Sequence, residues 1–66
     1  MEDDRREEEE VVLRDGNIHV SRNTRNGLFT GYVNTGKAGD YPAALSMTSK
    51  EAAHQESVAW DRWMNS

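Results

Sequence analysis

The stretch Gly31-Tyr32-Val33-Asn34-Thr35-Gly36-Lys37-Ala38 comes within one residue of the phosphate-cradling pattern G-x-x-x-x-G-K-[ST]. In that pattern backbone amides and a lysine surround phosphate oxygens, and a hydroxyl ligates Mg²⁺. Ala38 stands where the hydroxyl is needed. Gly39, Asp40 and Pro42 prevent the immediate helix whose amino-terminal dipole would hold the phosphates. The stretch therefore reads as strand and loop. His19 and His54 are the two histidines, and neither has the spacing partners of a zinc or nucleophile site, since His54-Gln55-Glu56 is not H-E-x-x-H. With no cysteine, a tetrahedral site would need carboxylates brought from elsewhere, so no metal and no cofactor is expected. Asp15, Asp40, Glu51, Glu56 and Asp61 fall in a turn, in a loop and along a helix, and no pattern gathers two of them in a pocket. No catalytic residue is assigned, and the chain reads as non-enzymatic.

Binding chemistry is better represented. Glu2, Asp3, Asp4, Glu7, Glu8, Glu9 and Glu10 against Arg5 and Arg6 make residues 1–10 net −5 within a chain of −4, so the other 56 residues sum to +1. A like-charge block with no apolar residue after Met1 has the composition of a disordered tail. Its carboxylates, those of Glu7, Glu8, Glu9 and Glu10 included, can occupy a cationic groove on a protein partner in imitation of nucleic-acid phosphates, with fast, salt-sensitive association. Arg14, Arg22, Arg25, Lys37 and His19 gather on or around residues 11–35, with Tyr32 among them. A basic sheet that carries an aromatic can contact phosphates and stack on bases. Trp60 and Trp63 are three apart and cannot both point straight into a small sheet. With Trp60 in the core, Trp63 lies at the rim beside Met64, as a contact for a partner or a second copy, or as a lid on the core.

These groups have to be positioned by a chain of 66 residues, a length at which one small domain forms and a single core supplies only a few kcal/mol. The absence of cysteine removes disulfide staples and fits a reducing, cytoplasmic setting. No apolar run of about 18 residues exists, so no membrane partner is expected.

From residue 11 to residue 35 the sequence alternates, with turn dipeptides at Asp15-Gly16 and Asn26-Gly27. Both are preferred pairs for two-residue type I′ hairpins. Closing the first turn sets Leu13 opposite Ile18 and Val11 opposite Val20. Closing the second sets Val20 opposite Val33 and Thr24 opposite Phe29. Both registers place Val11, Leu13, Ile18, Val20, Phe29 and Val33 on one face. Val12, Arg14, His19, Ser21, Asn23, Thr30, Tyr32 and Asn34 are left on the open face. Residues 34–40 are a loop by composition, and Pro42 keeps residues 41–45 out of a central strand, with room for a short extended edge segment. Thr48 followed by Glu51 fits a capping box that opens a helix over residues 49–64. Ala53, Trp60 and Met64 form its inward stripe, flanked by Ala52, Ala59 and Trp63. Trp60 then contributes on the order of 2–3 kcal/mol of burial. The expected fold is α+β: a three-stranded antiparallel β-meander packed by one carboxy-terminal helix over residues 11–66, with residues 1–10 as a disordered acidic tail.

This order of strands and helix, with Thr48-Ser49-Lys50-Glu51-Ala52-Ala53 at the helix start, resembles the sheet-based DNA-binding modules of plant AP2 factors and integrase amino-terminal arms. The resemblance covers about 45 residues and implies nucleic-acid contact through Arg14, Arg22, Arg25 and Tyr32. A body charge of +1 departs from the strongly basic surfaces of such modules. The favoured expectation is a small accessory or inhibitory protein, of the kind phages and mobile elements encode, that engages a protein partner through Glu7, Glu8, Glu9, Glu10, Arg22, Arg25, Tyr32 and Trp63. Nucleic-acid binding is the runner-up, and a homodimer joined through edge strands or Trp63 is the third class.

Overall fold

The computed structural model describes residues 9–36 and 39–64. In chain order these form β1 (Glu9–Asp15), β2 (Ile18–Asn23), β3 (Phe29–Asn34), β4 (Asp40–Met47) and α1 (Lys50–Met64). The strands make one antiparallel sheet in the order β1-β2-β3-β4, and α1 packs across it. The α+β class, the antiparallel sheet and the carboxy-terminal helix agree with the sequence reading. The strand number does not: the sheet has four strands rather than three. Pro42 is accommodated in β4 because that strand lies at the sheet edge, where a missing N–H is tolerated. Residues 1–8, and with them the expected disorder of the acidic segment, lie outside the described residues. Glu9 and Glu10, assigned by composition to that segment, open β1 and pair with Asn23 and Arg22.

Both hairpins differ in register from the sequence expectation, each by two residues. The first turn is Gly16-Asn17 rather than Asp15-Gly16, so that Asp15 pairs with Ile18 and Leu13 with Val20. Gly16 has φ 59° while Asn17 stays at negative φ, the pattern of a type II′ turn with glycine first. The second loop spans residues 24–27, setting Ile18 against Val33 and Val20 against Gly31. Asn23 selects the longer loop: its Oδ1 accepts the N–H groups of Arg25 (2.8 Å) and Asn26 (3.2 Å), and its carbonyl accepts the Gly27 N–H at 2.8 Å. A shift of two preserves which side each residue faces, so Ile18, Val20 and Val33 still lie together under the helix, all buried.

A bulge is a shift of one, and it does change sides. Between Val11 and Leu13 the β1 register slips by one residue. Val12 and Leu13 both pack against the core, while Val11 pairs with Ser21 on the open side and is 42% exposed. Val11 and Val12 thus exchange the places that strict alternation gives them. β4 carries two more irregularities, and Ser46 within it adopts φ 52°.

Helix α1 contains neither glycine nor proline, and its amino-terminal cap is Ser49, not Thr48. Ser49 Oγ accepts the Ala52 N–H at 3.2 Å and its carbonyl the Ala53 N–H at 3.1 Å. Glu51 consequently sits one position too early for a capping box, though still within the first turn, where its charge suits the helix dipole. The stripe pressed on the sheet centres on Ala53 and Ser57, both fully buried. Ser57 satisfies its hydroxyl by donating to the Ala53 carbonyl at 2.8 Å. Gly31 in β3 makes this close approach feasible, because a Cβ there would fall onto Ser57 Oγ and lie 2.7 Å from the Ala53 carbonyl oxygen. The core centre is Val20, Ala44 and Ala53. Trp60, expected in the core, is instead half-buried towards the helix end against Tyr41 of β4, ring centroids 5.7 Å apart.

Candidate partner-binding surfaces

The structure divides the sequence-derived site residues between three regions. On the open sheet face, cross-strand partners His19 and Tyr32 stack at 4.8 Å with their planes 22° apart. The Tyr32 hydroxyl donates to Glu9, at 3.2 Å from Oε1 and 3.4 Å from Oε2. Burial holds the Tyr32 pKa above its ordinary value, and the charge and hydrogen bond of Glu9, then the charge of Asp40, push the same way. His19 covers one face of the Tyr32 ring and Glu9 takes its hydroxyl, so the aromatic expected to stack on bases is engaged within the sheet.

Arg22 lies two residues from Val20, on the helix side of β2, and meets Glu10 at 3.6 Å. Arg25 is exposed in the β2–β3 loop. Arg14 pairs with His19 on the open side, where both line a polar groove of about 350 Å³ with Asn17, Asn34 and Asp40. Arg14, Arg22, Arg25 and Tyr32 therefore do not share one platform. Glu7 and Glu8 fall outside the described residues.

The third region is aromatic. Trp63 is 71% exposed and meets Trp60 edge to face, centroids 5.6 Å apart and planes at 81°. Together with Glu56 and Ala59 the two indoles line an open groove of about 290 Å³ along one flank of α1. Tyr41 backs Trp60 from β4. The sequence reading assigned Trp63 alone of these to a contact surface and placed Trp60 in the core. Their signal is the spacing of Glu56, Trp60 and Trp63 at i, i+4 and i+7, which places them on one helix stripe.

A pairing across 39 positions of sequence was also missed: His54 Nε2 lies 2.8 Å from Asp15 Oδ2, tying α1 to the first hairpin turn. A histidine and a carboxylate are two members of a nucleophile triad. Ser57, one turn further along α1, is buried and gives its hydroxyl to the Ala53 carbonyl instead. The stretch resembling a phosphate loop closes the β3–β4 hairpin: Thr35 donates through its N–H (2.8 Å) and Oγ1 (2.7 Å) to the Gly39 carbonyl, and a strand follows rather than a helix. Among the described residues no group of three or more His, Asp and Glu side chains could hold a metal ion, and no helix is long and apolar enough to cross a membrane.

Comparison with protein-family models, with curated proteins and with solved structures finds no match to this chain.

Proposed function

We propose that this chain is a small non-enzymatic binding protein that docks on a protein partner through the aromatic end of α1. The observation that carries the reading is Trp63, 71% exposed beside Trp60 in an open groove. An exposed large aromatic backed by further rings has the composition of an interface hot spot, where a preformed anchor contributes most of the affinity. The acidic segment guides association with a basic partner surface, and the folded body sets position. As an accessory or inhibitory factor such a protein needs no reaction of its own, and a chain without cysteine suits the reducing cytoplasm.

Nucleic-acid binding is supported less well, because Arg22 and Tyr32 project to opposite sides of the sheet and both are engaged by acids of β1. Pairing of β4 edges between copies is opposed by Pro42 and the two irregularities of that strand.

Affinity purification of the tagged chain from its host, with and without nuclease, tests the reading. A protein that is retained after nuclease by the parent chain and lost by Trp63→Ala, with the far-UV circular dichroism of the folded chain kept, is the expected result. Loss of all bound material on nuclease treatment, or retention of the partner by Trp63→Ala, would reject it.

A further inference from the structure

We infer that the corner between Trp60 and Trp63 is a receptor for an arginine side chain presented by the partner. The inference rests on the docking reading above and specifies its chemistry. Two rings that meet edge to face at 81° enclose a corner walled by an indole π-face on each side. Those faces carry the negative lobes of the ring quadrupoles. The groove in this corner is completed by Glu56, an exposed carboxylate one turn before Trp60, and by Ala59, whose methyl leaves the space open. A neutral apolar side chain placed there would displace water from Glu56 and return nothing to it. A cation meets three negative surfaces at once.

Among cations, guanidinium fits best. Its plane can lie along one indole while its N–H fork turns to the carboxylate, whereas an ammonium presents a compact, strongly hydrated point charge. The chain's net charge of −4, concentrated in residues 1–10, draws the same kind of partner surface.

The test uses the full chain, ¹⁵N-labelled, titrated with N-acetyl-arginine-N-methylamide and with the citrulline analogue, which keeps the planar shape but replaces one nitrogen donor with a carbonyl acceptor and lacks the charge. Saturable movement of the Trp60 and Trp63 indole N–H resonances by the arginine compound is expected, with the citrulline compound weaker by about two- to fivefold, the range of one exposed cation–π contact. Glu56→Gln should weaken the arginine compound by a similar factor without changing the melting temperature. Equal binding of the two compounds, still indole resonances, or an unaltered titration in Glu56→Gln would each overturn the inference. Its failure is separable from that of the docking reading: a partner lost by Trp63→Ala but held at full affinity by Glu56→Gln leaves the docking surface standing and removes the arginine.

Discussion

At the scale of single residues, two positions have effects out of proportion to their size. Gly31 has no side chain to bury, yet it sets the distance between helix and sheet. Gly31→Ala would drive a methyl into the Ser57 hydroxyl and to 2.7 Å from the backbone carbonyl of Ala53, which cannot move without the helix, at about 3 kcal/mol. That is comparable to the whole stability of a domain this small, so thermal denaturation should show a largely unfolded protein. Gly16→Ala is the contrasting case. Its Cβ meets nothing within 4 Å, and the cost is confined to the left-handed backbone, about 1–2 kcal/mol. Tyr32 is the second position. Its raised pKa means that the folded state favours the neutral phenol. The resulting stability is fully present below the ordinary tyrosine pKa of about 10 and is lost as pH rises through the higher folded value. Spectrophotometric titration against a Tyr32→Phe control should place the Tyr32 transition above 10. Glu9→Gln should lower that transition only part of the way, because burial is the largest cause and persists in the variant.

Elements were legible in the sequence to the extent that parity and turn chemistry determine them. Both hairpins exist where turn dipeptides occur, and both register expectations missed by two residues next to the turns, an even number that leaves the side chains outside the β1 bulge on their own faces. The buried set of Ile18, Val20 and Val33 was readable for that reason. The bulge at Val12 was not readable, since no residue there marks it and its odd shift depends on fitting Leu13 and Val12 together under the helix. β4 was legible only as room for a short edge segment, because the penalty of Pro42 depends on edge or centre, a property of the assembled sheet. The helix start was misplaced by one residue because Thr48 and Ser49 are both good caps and only the backbone path chooses between them. The choice has a measurable consequence. Ser49→Ala removes the acceptor for the Ala52 N–H and should cost about 1 kcal/mol in urea denaturation, while Thr48→Ala should cost a few tenths at most. The reverse order would restore the capping box with Glu51.

At the scale of the whole molecule, the described residues form a sheet with α1 packed across one side. Its buried core, Ile18, Val20, Val33, Ala44 and Ala53 with Ser57, contains no aromatic, and Tyr41, Trp60 and Trp63 line up near the edge instead. The candidate site was half legible for the same reason: Trp63 stood out by spacing, but the corner it forms depends on Ala53 and Ser57 taking the centre of the helix stripe and leaving Trp60 at its end. Where the fold begins is the remaining question at this scale, and composition and pairing answer it differently. Composition draws the boundary at Val11; pairing draws it at Glu9, whose carboxylate accepts from Tyr32 and whose neighbour Glu10 meets Arg22. Residues 1–8 bring no apolar side chain after Met1, so deleting them should leave the melting temperature unchanged within error. Deleting residues 1–10 also removes the strand pairing of Glu9 and Glu10 with Asn23 and Arg22 together with one hydrogen bond to a carboxylate and one exposed ion pair, the two side-chain contacts alone being worth about 1 kcal/mol after solvent screening. In a domain of this size that corresponds to a fall of about 4–8 °C, accompanied by a Tyr32 transition closer to its ordinary value. Calorimetry on the two truncations decides the matter: equal melting temperatures would put the boundary at Val11, and a fall already present when only residues 1–8 are removed would put it earlier than Glu9.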